Sequence, residues 1–125
     1  MPRTILVVDE NRDFHELMGA IVRWAHLPVE IRCTGDSQAA FAMAKQERPD
    51  LIVIGDLYPD ASRPELCQHL RACAVTATIP ILVLAADPWL ARDQDLPACA
   101  DAVLGKASDL DAIVRTIAQL LAAPR

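Results

Sequence analysis

The sequence lacks any apolar run near the ~20 residues that a membrane-spanning helix requires. Its longest apolar stretch, residues 79–86, is already interrupted by Pro80. The opening Met1-Pro2-Arg3 leads only into Ile5-Leu6-Val7-Val8, too short for the hydrophobic region of a secretory signal, so a cytoplasmic protein is expected. A basic excess is also missing. With 12 Lys+Arg against 17 Asp+Glu and a formal net charge of -5, neither nucleic acid nor an anionic membrane is expected as this domain's direct partner. The four cysteines, Cys33, Cys67, Cys73 and Cys99, form no CxxC and have no histidine at ligand spacing, which excludes a zinc site. They read as buried, reduced thiols. Repeats, low-complexity segments and internal linkers are absent, as is a Ser/His/Asp or Cys/His arrangement for nucleophilic catalysis. No Gly-rich phosphate loop follows the first apolar segment, where Asp9-Glu10-Asn11-Arg12 stands instead. An enzyme or a nucleotide binder is therefore not expected.

What is present is a chain of 125 residues with 53% hydrophobic content, which excludes disorder and suits one domain. A chain of this size needs neither metal nor disulfide to hold a core. The domain core is assigned to residues 4–121, with 122–125 a terminal tail or linker stub.

Apolar segments of two periods alternate. Ile5-Leu6-Val7-Val8, Leu51-Ile52-Val53-Ile54 and Ile81-Leu82-Val83-Leu84 are continuous, as in strands covered on both faces. Val29-Glu30-Ile31-Arg32-Cys33 alternates and suits an edge strand; Ala102-Val103-Leu104 is the weakest and suits the other edge. Between them, Phe14, Leu17, Met18, Ile21, Val22 and Ala25 form one helical face capped by Asn11. The last helix repeats that spacing through Leu110, Ile113, Val114, Ile117, Leu120 and Leu121, with Ser108 as its cap. Ser62-Arg63-Pro64-Glu65 is a capping box opening a helix through Leu66, Leu70 and Cys73. Further helices are placed near residues 36–46 and, less well formed, at 88–96. Strand and helix alternating five times predict a parallel, doubly wound sheet, with chemistry at the carboxyl ends of its strands.

Those ends carry Asp9-Glu10, Gly55-Asp56, Ala85-Ala86-Asp87 and Gly105-Lys106. Adjacent carboxylates can ligate Mg²⁺ together with phosphate oxygens, and a lysine supplies a compact charge for a phosphoryl group. The alternative is that Asp9 and Glu10 only cap the first helix or sit solvated before it. Lys106 stands out because the chain has ten arginines and only two lysines, Lys45 and Lys106.

The chain resembles the receiver domain of bacterial two-component response regulators. The matching stretches are Ile5-Leu6-Val7-Val8-Asp9-Glu10, Arg48-Pro49-Asp50-Leu51-Ile52-Val53-Ile54, Ile79-Pro80-Ile81-Leu82-Val83-Leu84 and Asp101-Ala102-Val103-Leu104-Gly105-Lys106. The resemblance implies a flavodoxin-like (βα)5 α/β fold with strand order 2-1-3-4-5. It also implies a phosphoacceptor aspartate ending the third strand, an acidic pair for Mg²⁺, a Thr or Ser ending the fourth strand, an aromatic in the fifth and a lysine after it. Asp9, Glu10 and Lys106 match the acidic pair and the lysine.

Other positions depart from that pattern. Counting back four residues from Pro59, or forward through four apolar residues after Pro49-Asp50, puts the acceptor position at Gly55. The Thr/Ser position holds Ala85, the aromatic position Val103, and Ala107 replaces the proline after the lysine. An atypical receiver follows, acting through protein–protein contacts without phosphorylation. Its vestigial pocket would hold Asp9, Glu10 and Lys106 as an ion-paired group with weak or no Mg²⁺ binding. The competing reading makes Asp56 a register-shifted acceptor in a phosphorelay, which would bring Mg²⁺ with it. One residue along a strand moves a side chain ~3.3 Å and turns it to the opposite face, so a solvated or helix-facing Asp56 is the favoured expectation. A bulge at Gly55 would re-aim it.

No other cofactor is expected. The expected partner is a protein: a histidine kinase, an effector domain or a second copy, dimers through the last helix being usual for the family. Trp89 and Leu90, apolar in an exposed segment, are assigned either to a partner surface or to covering the sheet beside Val103. Trp24 is expected in the core, Tyr58 over the pocket, and His15, His26 and His69 on helix surfaces.

Overall fold

The computed structural model describes residues 2–58, 62–87 and 99–123. The elements run β1 (Arg3–Val8), α1 (Arg12–Trp24), β2 (Val29–Thr34), α2 (Ser37–Glu47), β3 (Leu51–Ile54), α3 (Ser62–Ala72), β4 (Ile81–Ala85), β5 (Ala102–Gly105) and α4 (Leu110–Ala122). The helix expected at 88–96, with Trp89 and Leu90, lies outside the described residues.

All strand pairs are parallel and the order is β2-β1-β3-β4-β5, the expected doubly wound arrangement. The continuous apolar strands have the physical cause inferred from their pattern. Because successive side chains point to opposite faces, each central strand feeds two cores at once. Leu6, Val8, Ile52, Ile54, Ile81 and Val83 pack on one face with α2 and α3 residues such as Ala44, Leu66 and Leu70. Ile5, Val7, Leu51, Val53, Leu82 and Leu84 pack on the other with Phe14, Met18 and Ile21 of α1 and Ile113 and Ile117 of α4. Each such Ile or Leu, when fully buried, contributes about 1.5–3 kcal/mol of transfer free energy.

Asn11 caps α1 by accepting from the Asp13 N–H at 2.8 Å. The residue at the cap position of α4 is Asp109 rather than Ser108: the Asp109 carbonyl accepts the first helical bond, from the Ile113 N–H, its side chain makes no capping bond, and Ser108 lies in the turn after β5. Trp24 is not core: it is 59% exposed, and Leu17 of the same stripe is 50% exposed. Both lie roughly a quarter-turn round the helix from the line through Phe14, Met18 and Ile21 that meets the sheet. Of the cysteines only Cys67 is buried. Cys33 is exposed on β2, an edge strand with β1 as its one neighbour, while Cys73 and Cys99 are partly covered. No helix among the described residues is long and apolar enough to cross a membrane.

Candidate functional site

Hydrogen bonds just beyond the strands hold their carboxyl ends level. The Asp9 N–H donates to Thr34 O at 3.0 Å, Gly55 N–H to Val8 O at 2.7 Å, and Lys106 N–H to Ala85 O at 2.8 Å. The residues after β1, β3, β4 and β5 thus meet at one edge of the sheet.

Asp9 lies at the centre and is only 1% exposed. Its Oδ2 receives the Lys106 ammonium at 2.6 Å and the Asp56 N–H at 2.8 Å, and its Oδ1 receives the Asn11 N–H at 2.7 Å. A buried carboxylate with three donors is fully satisfied. Lys106 Nζ also reaches Asp56 Oδ2 at 2.7 Å and stands 4.3 Å from the centroid of the Phe14 ring. Asp56 further accepts from Arg63 at 3.1 Å and from the Ala86 N–H at 3.1 Å. Two carboxylates therefore face two cations, and the cluster is balanced in charge.

Burial acts to raise the Asp56 pKa, but the bond and charge of Lys106, the Ala86 N–H and Arg63 outweigh it and hold the carboxyl below its ordinary value. Burial acts to lower the Lys106 pKa, and the bonds to Asp56 and Asp9 reverse it, leaving the ammonium above its ordinary value. Each ion stabilises the other.

Gly55 adjoins this cluster on the β3 side. A Cβ placed on it would lie inside contact distance of Asp9 Oδ2, with Asp9 Cγ at 2.8 Å and Asp9 Cβ at 3.0 Å. The space that a side chain at position 55 would need is filled by the Asp9 carboxylate.

Several expectations need correcting. Lys106 pairs with Asp9 and Asp56, not with Glu10; the exposed Glu10 turns away and accepts from the Tyr58 N–H at 2.8 Å. The Tyr58 ring does not cover the pocket and is 80% exposed. Asp56 does face a helix, through Arg63 of α3, and its side chain is 39% exposed, but the same carboxylate also reaches Lys106 in the pocket, which the expectation did not include. The alternation argument does not reach it, because β3 ends at Ile54 and residues 55 and 56 are already loop. His15 is not a free surface histidine: its Nε2 lies 2.7 Å from the Asp9 carbonyl oxygen. Ala85 is fully buried at the end of β4, and Val103 packs against the α2/α3 core.

Two participants were not anticipated. Arg63, in the capping motif, is 4% exposed, and Phe14 lies under the ammonium as well as in the core. Composition carries no signal for a buried arginine. The spacing of seven residues from Asp56 becomes meaningful only once α3 folds back over the loop.

A divalent cation does not fit this arrangement. Its most buried carboxylate has its oxygens committed to Lys106 and two backbone N–H groups, and the Lys106 ammonium is held by Asp9 and Asp56 at once. Among the described residues, no three His, Cys, Asp or Glu side chains are grouped to hold a metal ion.

No protein-family model matches the chain. It is 30% identical over 121 residues to the probable transcriptional regulatory protein TcrX of Mycobacterium tuberculosis, covering 96% of this chain and 50% of that protein. It is 32% identical over 122 residues to the response regulator MprA of Mycolicibacterium vanbaalenii, covering 97% and 51%. The chain spans about half the length of these curated relatives. Its structure is similar to that of a proposed response regulator from Chloroflexus aurantiacus, with a TM-score of 0.85 at 27% identity, covering 98% of this chain and all of that one. At 21% identity it shares the fold, with a TM-score of 0.85, of the receiver domain of the sensor histidine kinase PA1611 from Pseudomonas aeruginosa, covering 98% and 100%. That structure has a magnesium ion coordinated in its active-site cleft.

Proposed function

We propose that this chain, which belongs to the receiver domains of response regulators and so to signal transduction, passes its signal through protein–protein contacts without a phosphoryl group. One observation carries the reading: the Asp9 carboxylate occupies the space of a side chain at position 55, where the family resemblance places the phosphoacceptor. Lys106 pairs with both Asp9 and Asp56, and Arg63 with Asp56, which ties the strand ends to one another and to α3. Ala85 offers no hydroxyl to an incoming phosphate, and Val103 is too small to act as an aromatic that follows one. Binding of Mg²⁺ is weak or absent, because a cation would have to displace the Lys106 ammonium. The partner is a histidine kinase, an effector domain or a second copy of the chain.

A second reading makes Asp56 the acceptor in a phosphorelay. The reach of its carboxylate to Lys106 and to the Ala86 N–H favours it. Against it, both oxygens of Asp56 are already held by cations, and transfer to either would break an existing pair.

Intact-protein mass after incubation with Mg²⁺ and acetyl phosphate separates the two. No phosphoryl adduct on the natural sequence is the expected result. An adduct that disappears in Asp56→Ala would overturn the first reading and install the second.

A further inference from the structure

The two sides of the sheet present surfaces of opposite shape. On the α1 side, Leu17 and Trp24 are 50% and 59% exposed. Seven residues apart, they stand on one line of the helix at a spacing of about 10 Å, with the exposed Ala20 between them. On the other side, α2 and α3 leave a groove made of two adjoining hollows of about 330 and 310 Å³. Phe41 and His69 line both hollows, their ring centroids 5.9 Å apart. The larger hollow runs past Leu66 to Ser37 and Ser62 at the helix N-termini, and the smaller ends at Ala72 and Cys73.

We propose that α1 of a second copy of the chain lies in this groove, antiparallel to α2 and α3, so that copies join ridge to groove. The two groove helices run the same way, since each returns from the carboxyl end of a strand in a parallel sheet. Charge sets the direction of the incoming helix. Asp36 caps α2 and Glu65 lies in the first turn of α3, which makes that end of the groove acidic. Lys45, in the last turn of α2 and 4.6 Å from the centroid of the Phe41 ring, makes the other end basic. The Phe41–His69 contact levels Glu65 with the start of α2, about 12 Å along the axis from Lys45. On α1, Glu16 and Arg23 are about 10 Å apart in the order acid then base. An antiparallel α1 thus brings Arg23 to Glu65 and Glu16 to Lys45, and it also opposes the helix dipoles. Trp24 enters the larger hollow and Leu17 the smaller, which removes from water two large side chains that a single copy leaves half-exposed. Ridge and groove are different surfaces, so a copy that has used its ridge still offers its groove, and growth does not stop at a dimer. None of the pocket residues takes part, so this proposal stands whichever reading of the pocket is correct.

Sedimentation velocity of the full chain at rising concentration tests this, and the mean mass should climb past that of a dimer. Trp24→Glu on the ridge and His69→Glu in the groove change exposed positions, so each should leave the far-UV circular dichroism intact. Each should weaken association about tenfold or more, and Leu17→Glu repeats the ridge test. Mixing Trp24→Glu with His69→Glu should give a one-to-one dimer that grows no further, because the first keeps an intact groove and the second an intact ridge. A natural chain that stays monomeric at millimolar concentration would overturn the proposal and leave the groove to a helix of another protein. A dimer that grows no further and survives His69→Glu would overturn it too, being the mark of like faces meeting. So would a mixture of the two variants that stays as monomeric as each alone.

Discussion

The Asp9 carboxylate fills the space beside the α-carbon of Gly55, so the side chain missing at one position is replaced by a side chain from the neighbouring strand. Gly55→Ala should therefore force Asp9 off its partners and destabilise the fold by about 1–3 kcal/mol, the usual cost of overpacking. Urea unfolding measures this. Asp9→Ala in the same chain should recover part of the loss, because it removes the atom that the new methyl meets. Additive effects of the two substitutions would contradict the steric account.

Lys106→Met removes the cation from a carboxylate that is 1% exposed and leaves it two backbone N–H donors. Stranding a buried charge in this way costs about 3–5 kcal/mol. The double variant Asp9→Asn with Lys106→Met should lose less than Lys106→Met alone, because no uncompensated charge remains. Thermal or urea denaturation of the set decides it.

The pH dependence of stability follows from two shifts. The native pKa of Asp56 lies below its unfolded value, so as pH falls the unfolded chain takes up the proton first. Its contribution is complete above the unfolded value of about 4 and lost as pH drops through the native value. Lys106 is displaced upward, so its contribution is complete below the unfolded value of roughly 10.4 and lost as pH rises through the native one. Asp56→Asn should flatten the acid limb of the stability profile, and an unchanged limb would remove Asp56 from the account.

Arg71→Lys should destabilise nearly as much as Arg71→Ala. Four acceptors on the Ala77, Ile79, Cys99 and Asp101 side of α3 are met by three nitrogens of one planar fork, which an ammonium cannot reproduce. The loss should be about 2–3 kcal/mol by urea unfolding, with faster hydrogen exchange along β5.

Tyr58→Ala should change stability by no more than about 0.5 kcal/mol, since the ring is 80% exposed and only its backbone N–H contacts the loop. A large loss would mean that the ring is buried against the pocket after all.

The sequence alone determined the parallel sheet with helices on both faces, and the order of its strands came from the resemblance to receiver domains. Continuous apolar runs at residues 5–8, 51–54 and 81–84 can be accommodated only by strands covered on both faces, and helical periodicity between them forces crossover connections. It also placed Asp9, Gly55-Asp56 and Lys106 at the strand ends, because those positions are counted along the chain from the apolar runs. Which carboxylate meets which cation was decided by tertiary structure. Strand alternation stops at Ile54, so the direction of Asp56 depends on the loop beyond it and on the donors waiting at Ala86, Lys106 and Arg63. The exposure of Trp24 and Cys33 was equally beyond a periodic pattern, which marks the apolar stripe of a helix or strand but not how far its neighbours extend over it. The meeting of Arg71 with Asp101, and of Asp9 with Gly55, joins residues 30 and 46 positions apart. Such contacts are set by the packing of elements against one another, and packing is a property of the folded chain that no local spacing encodes.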